Sequence, residues 1–69
     1  MLGDRIKKYR KQLGLSQEKL AMKSEVSYTA LIKIEQGKAK QPTIQTIMKL
    51  AEALDISIDE LVGRKTKNV

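Results

Sequence analysis

Apolar side chains recur every three or four residues along most of this chain, a spacing that predicts amphipathic helices rather than strands. A first helix carries an apolar stripe made of Leu2, Ile6, Tyr9 and Leu13. The inner face of a fourth helix, which opens at Pro42-Thr43, is expected to hold Ile44, Ile47, Leu50, Ala51 and Leu54. Because glycine readily takes the left-handed conformation that follows a helix, the first, third and fifth helices should end at Gly14, Gly37 and Gly63.

Two short helices are predicted between residues 16 and 37, joined by a tight turn. Each begins after a serine, Ser16 or Ser27, whose hydroxyl oxygen is suited to accept a hydrogen bond from an unpaired N–H group of the first turn. The small Ala21 would let the second of these helices cross the first closely. Such a pair is typical of proteins that present polar side chains to the DNA major groove, although an ordinary helical hairpin carries the same local signals.

The last helix is expected to start at Ser57. Ser57 and Glu60 have the spacing of a capping box, and Ile56 with Leu61 has the spacing of a hydrophobic staple. The residues after Gly63 are polar and basic and show no periodic pattern. We therefore predict an all-α protein with one compact five-helix domain over residues 1–63 and a basic disordered tail over residues 64–69.

The charge balance favours a polyanionic partner. Lysine and arginine outnumber the acidic residues by 14 to 8, which gives a formal net charge of +6. Nucleic acid or an acidic membrane surface would suit this charge, and an incidental basic balance is the alternative. The chain has no cysteine and no histidine, so we expect no thiol chemistry, no metal and no cofactor. No apolar run approaches the roughly 18 residues of a membrane span and no signal peptide is visible, so a cytoplasmic location is expected.

Two charged residues occupy positions where apolar residues are expected. Arg10 lies on the apolar stripe of the first helix, and Glu35 lies beside Leu31 and Ile34 on the inner side of the third helix. An unpaired buried charge is costly, so their opposite signs predict a structural ion pair. The alternative is that both side chains tilt outward and stay solvated.

Residues of the central segment also occur together at the spacing of a known family. A resemblance to the Cro/repressor-type (Xre-like) helix-turn-helix domain of phage repressors and their bacterial relatives is carried by Gln17, Leu20-Ala21, Val26-Ser27, Leu31, Ile34-Glu35 and Gly37. It covers residues 2–62 without gaps and places the helix-turn-helix motif at residues 17–36. The resemblance implies a compact, lambda-repressor-like DNA-binding domain of bacterial or phage origin, usually a dimer on a palindromic operator. It also implies that Arg10 and Glu35 form a partly buried ion pair.

The chain departs from the family pattern at two turns. Glu25 stands where the family often has glycine. This position needs the left-handed conformation, which costs a residue other than glycine roughly 1 kcal/mol or more of conformational free energy. Ser24, just before it, stands where an apolar residue is common. Asp55 also replaces a frequent glycine, although aspartate tolerates the left-handed conformation better. These departures bear on the turn geometry and on the stability of the domain.

The outer side of the third helix holds the candidates for reading DNA bases. The expected base-contacting residues are Ser27, Tyr28, Thr29 and Lys33. Lys33 can donate to guanine, and Thr29 can offer a hydroxyl or place its methyl group against thymine. For Tyr28, an exposed ring lying on its own helix is the alternative. Ile32 also faces outward by helical phase, towards a thymine methyl group or solvent.

Contacts to DNA phosphates are expected at helix starts and at the basic connector after the third helix. The expected phosphate-contacting residues are Ser16, Gln17, Gln36, Lys38 and Lys40. The amide groups at the start of the second helix favour an anion near the first two of these. The other three match backbone-contacting positions of the family. Such contacts position a protein on DNA and carry no sequence information.

These observations favour a sequence-specific regulator of transcription that binds double-stranded DNA, most simply a repressor that occupies an operator. Two alternatives use the same fold: an antitoxin that binds both its operator and a toxin protein, and a protein-binding adaptor that has lost DNA binding. No nucleophile–base pair, metal-ligand cluster or glycine-rich phosphate loop is apparent, so an enzyme is not expected.

One recognition helix reaches only a few base pairs, so a homodimer is expected at least on DNA. Its operator would be an inverted repeat with half-site centres about 10 bp apart. The candidate interface lies in the fifth helix and the segment before it, with Ile56, Ile58, Leu61 and Val62. Because the hydrophobic staple also uses Leu61, Ile58 and Val62 are the stronger candidates for exposure.

Overall fold

The computed structural model describes residues 2–39 and 42–63, and within them it contains five helices and no strand. The helices are α1 (Leu2–Gln12), α2 (Gln17–Ser24), α3 (Tyr28–Glu35), α4 (Ile44–Leu54) and α5 (Ile58–Val62). The predicted all-α fold class is confirmed. The tail predicted to be disordered, residues 64–69, lies outside the described residues, as do Lys40 and Gln41.

Side-chain caps begin four of the five helices where the sequence predicts. The hydroxyl groups of Ser16, Ser27, Thr43 and Ser57 each accept a hydrogen bond from the backbone N–H three residues later. At α5 the capping box is complete, because the Glu60 carboxylate also accepts from the Ser57 N–H at 3.1 Å. Hydrogen bonds between residues close along the chain therefore fix these helix starts.

The turn between α2 and α3 has the predicted left-handed geometry in spite of its sequence. Glu25 has φ 61° and closes the end of α2 with its backbone N–H. Ser24 is buried, and its hydroxyl donates to the Ala21 carbonyl at 3.3 Å and accepts from the Val26 N–H at 3.4 Å. A polar residue is thus accommodated at this buried position because its hydroxyl is hydrogen-bonded on both sides.

Each helix contributes one fully buried side chain to a single core. These residues are Ile6, Leu20, Leu31, Leu50 and Leu61. α3 packs against α1 and α2, α4 packs against α2, and α5 packs against both α1 and α4. The five-residue α5 thereby closes the open end of the bundle, and α3 keeps one face free.

Gly3 lies at a close approach between α1 and the end of α3. A β-carbon built on Gly3 would lie 2.5 Å from the carbonyl oxygen of Ile34 and 2.7 Å from that of Glu35. The start of α1 therefore rests directly on the backbone at the end of α3, and only glycine fits without movement of the backbone. No pattern in the sequence indicates this role for Gly3.

Two residues assigned to inner faces are exposed. Leu13 is 49% exposed because α1 ends one residue before it, at Gln12, so the apolar stripe on the helix stops at Tyr9. Ile44 is 62% exposed because it is the first residue of α4, ahead of the part of the helix that reaches the core. Within residues 2–39 and 42–63, no helix is both long and apolar enough to cross a bilayer.

Candidate nucleic-acid interface

The helices α2 and α3 pack against each other, and most of the exposed residues on them are polar, apart from Met22 and Tyr28. Ala21, predicted to lie where the two helices cross, is buried, as are Leu20, Val26 and Leu31 in the same core. A small side chain at the crossing lets the helix backbones approach closely. The exposed side of α3 is therefore held in a defined orientation by α2 on one side and α1 on the other.

The residues expected to contact bases share one exposed region at the start and outer side of α3. Ser27, Tyr28, Thr29 and Lys33 are all exposed. Thr29 and Lys33 line a shallow groove together with Thr43 and Thr46 at the start of α4. Ile32 is half-buried rather than fully outward. The groove offers hydroxyl and ammonium donors, the groups that bind base edges and phosphates.

The residues expected to contact phosphates lie at the start of α2 and after the end of α3. Ser16, Gln36 and Lys38 are exposed, and Gln17 is half-buried. The Ser16 hydroxyl oxygen accepts from the Lys19 N–H at 3.1 Å, so it acts as a cap and keeps its own hydrogen for another acceptor. Lys40 lies outside the described residues, so its placement stays a prediction.

Arg10 and Glu35 meet inside the domain. The Arg10 Nε lies 2.8 Å from Glu35 Oε2, and Nη2 lies 3.1 Å from Oε1. Arg10 is 9% exposed and Glu35 is 3% exposed. The remaining Arg10 nitrogen, Nη1, donates to the Leu15 carbonyl at 2.9 Å. The guanidinium group thus joins the end of α3 to the segment that leads into α2, and the two charges are paired and hydrogen-bonded.

Gln17 has a partner that sequence reasoning missed. Its Nε2 donates to Glu35 Oε1 at 3.0 Å, which connects the first residue of α2 to the last residue of α3. The only local signal was a polar residue at the start of a helix, and that pattern does not reveal a contact 18 residues away.

The predicted dimer interface is wrong at Leu61. This side chain is fully buried because α5 uses it to close the core between α1 and α4. Ile56 and Ile58 are half-buried, and Val62 is 38% exposed. A second contact missed from the sequence also anchors α5, since Arg5 of α1 donates from Nε to the Glu60 carbonyl at 3.1 Å.

A family model described as "Helix-turn-helix" matches residues 6–61. The chain belongs to the helix-turn-helix family. The match includes α2, the left-handed turn and α3 within one continuous stretch. Within the described residues, no group of three or more carboxylate, cysteine or histidine side chains is placed to hold a metal ion.

Among its relatives in this family is the transcriptional regulator SinR of Bacillus subtilis, which is 40% identical over 65 residues. That alignment covers 94% of this chain and 59% of SinR, so the chain spans little more than half of the relative's length. The transcriptional repressor RstR from a cryptic phage in Vibrio cholerae is 39% identical, over 88% of this chain and 54% of RstR.

Solved structures of SinR have the same fold. The N-terminal DNA-binding domain of SinR from Bacillus subtilis superposes with a TM-score of 0.89 at 39% identity, over 97% of both chains. SinR in a complex with SinI protein superposes with a TM-score of 0.87 at 40% identity, over 90% of this chain and 60% of that one.

Proposed function

We propose that this chain binds double-stranded DNA sequence-specifically and regulates transcription, most simply as a repressor. The observation that carries the proposal is a set of four exposed residues, Ser27 just before α3 and Tyr28, Thr29 and Lys33 on it. The helix itself packs against α1 and α2. A net charge of +6 favours association with the phosphate backbone. The name of RstR, a transcriptional repressor, and the DNA-binding domain of SinR support the same function.

In this proposal the two ends of the motif position α3 on the duplex. Ser16 and Gln17 at the start of α2, and Gln36, Lys38 and Lys40 after α3, contact phosphates. Lys33 and Thr29 then read base edges in the major groove, with Ser27 and Tyr28 at the start of α3. Phosphate contacts would supply affinity on any sequence, and the contacts of α3 would supply discrimination between sequences.

Selection of bound sequences from a random DNA library tests the base contacts. Wild type should enrich an inverted repeat, and Lys33→Ala or Thr29→Ala should each relax preference at one or two base pairs, at a cost of about 1–3 kcal/mol. Lys49→Ala is the matched control, because Lys49 is exposed on a different surface beside Lys23 and Glu52. Profiles that are unchanged in both α3 variants would show that another element reads the DNA.

Salt dependence tests the phosphate contacts. Affinity should fall with salt at a logarithmic slope near −0.9 for each neutralised phosphate. Lys38→Ala with Lys40→Ala should lower affinity similarly on all sequences and flatten this slope. A double variant that alters only the preference among sequences would contradict the assignment.

We further propose that the protein pairs as a homodimer on DNA, through Ile58 and Val62 with Ile56 beside them. These apolar side chains are half-buried or exposed on α5 and the segment before it. The patch is small, so pairing would depend on DNA. An inverted-repeat operator with half-site centres about 10 bp apart would place both copies of α3 on one face of the duplex.

Binding of a second protein is the other candidate, and the complex of SinR with SinI protein is the observation that favours it. An antitoxin or an adaptor would use such a surface in addition to DNA or instead of it. A protein-binding adaptor would show weak DNA binding with a flat response to salt, whereas a DNA-binding regulator would show the steep response described above.

A further inference from the structure

The carboxylate of Glu35 accepts hydrogen bonds from two different parts of the chain. Two come from the Arg10 guanidinium, at 2.8 and 3.1 Å, and a third comes from Gln17 Nε2 at 3.0 Å. Glu35 is the last residue of α3 and Gln17 is the first residue of α2. One buried group therefore connects the end of the helix proposed to read bases to the start of the helix proposed to bind phosphate.

The carboxylate determines which way the Gln17 amide points. An ionised carboxylate only accepts hydrogen bonds, so the NH2 side of the amide must face Glu35. One hydrogen of Nε2 is used in this contact, so the second is available for another acceptor. Gln17 is half-buried, so solvent reaches part of its side chain.

Arg10 makes this arrangement compatible with a nearby anion. Without Arg10, the negative charge of the Glu35 carboxylate would repel a phosphate group that is bound to the Gln17 amide. The guanidinium group pairs with both carboxylate oxygens and so compensates their charge. It also holds the Leu15 carbonyl at 2.9 Å, which fixes the chain just before α2.

We propose that Glu35 is a positioning residue for DNA binding. It orients the Gln17 amide so that the free N–H of Nε2 donates to a DNA phosphate, and it fixes that phosphate contact relative to α3. The inference rests on the proposed function, and it adds that the buried ion pair serves affinity as well as stability. A contact to phosphate does not depend on sequence, so it is measurable on any duplex.

The test measures the affinity of the full chain for a fluorescein-labelled random-sequence 24-bp duplex at low salt. Gln17→Met keeps the size of the side chain and removes its donors, so affinity should fall about tenfold. Gln17→Lys can donate to both Glu35 and a phosphate, so it should bind at least as well as wild type. Gln12→Met is the matched control, because Gln12 is an exposed glutamine at the end of α1, and it should leave affinity unchanged.

The positioning role of Glu35 is tested in a background without the ion pair. The double variant Arg10→Met with Glu35→Leu removes both charges and leaves no unpaired charge buried. Apolar replacements of this kind are often tolerated. Addition of Gln17→Met to this background should lower affinity by at most about twofold, because the amide is no longer oriented. An equal loss in both backgrounds would show that Gln17 acts without Glu35 and would overturn the inference.

A spectroscopic measurement on wild type tests the Gln17 contact without relying on the variant that lacks the ion pair. The side-chain amide resonances of Gln17 in a ¹⁵N–¹H correlation spectrum should shift when the duplex is added, and those of Gln12 should not. Unmoved Gln17 resonances at saturation, or Gln17→Lys binding no better than Gln17→Met, would each overturn the inference. Failure of wild type to bind the duplex at all would instead overturn the proposed function.

Discussion

The carbonyl oxygen of Ile34 lies 2.5 Å from the point where a β-carbon on Gly3 would stand. α1 and α3 therefore touch backbone to backbone. This contact places the start of α1 against the end of the helix that carries the candidate base-reading residues.

Gly3→Ala should destabilise the domain. In an exposed helix this substitution gains about 1 kcal/mol, because alanine has the higher helix propensity. At Gly3 the added methyl group would meet the carbonyl oxygens of Ile34 and Glu35, and overpacking of this kind costs about 1–3 kcal/mol. Urea unfolding measures the change, with Gln12→Ala in the same helix as a near-neutral control. Equal or higher stability of Gly3→Ala would show that the helices separate without cost.

Loss of one partner of the buried ion pair should be far more damaging than loss of both. Arg10→Ala or Glu35→Ala alone should lower the free energy of unfolding by about 3–5 kcal/mol, because the remaining charge is buried without a partner. That is a large part of the roughly 5–15 kcal/mol typical of a domain. Arg10→Met with Glu35→Leu should cost much less. Losses below about 1 kcal/mol for the single variants in urea unfolding would mean that solvent screens the pair.

Glu25→Gly should stabilise the protein. Glu25 has φ 61°, a conformation that costs a non-glycine residue roughly 1–2 kcal/mol and costs glycine little. We expect a net gain of about 0.5–1 kcal/mol in thermal or urea unfolding, after the greater chain entropy of glycine is subtracted. Asp55→Gly, at φ 59°, should gain less because aspartate tolerates this region better. Glu18→Gly, inside α2, should lower the free energy of unfolding by about 1 kcal/mol. If glycine at positions 18 and 25 changed the stability in the same direction, the left-handed conformation of Glu25 would not explain the effect.

Ile58→Asp should separate binding of a whole operator from binding of one half-site. A carboxylate in the proposed interface should weaken binding to the selected inverted repeat by more than about tenfold and binding to an isolated half-site hardly at all. Leu13→Asp introduces the same charge at an exposed apolar residue outside the proposed interface, so it serves as the control in both titrations. Equal losses on both DNAs would assign Ile58 to the core and move the dimer to another surface.

The sequence by itself determined where α2 to α5 begin and most of the residues that are exposed on α3, although Ile32, expected to face outward, is half-buried. The caps at Ser16, Ser27 and Ser57 act within three residues, and the apolar periodicity of α4 extends over a few turns. Such signals are short-range and survive in the sequence, since the interacting groups are close along the chain. The opposite charges of Arg10 and Glu35 were also visible, because both interrupt an apolar face.

Only the tertiary structure decided how the short α5 is used and what Gln17 contacts. Leu61 had two candidate roles, in the core and in a dimer, and the packing of α5 against α1 and α4 assigned it to the core. The Gln17–Glu35 contact joins residues 18 apart, and the Arg5–Glu60 contact joins residues 55 apart. Gly3 had no local signal, because its role depends on the distance between two helix backbones. Periodicity identifies the face of a helix that turns inward, but the partner of each side chain depends on how the helices are arranged in space.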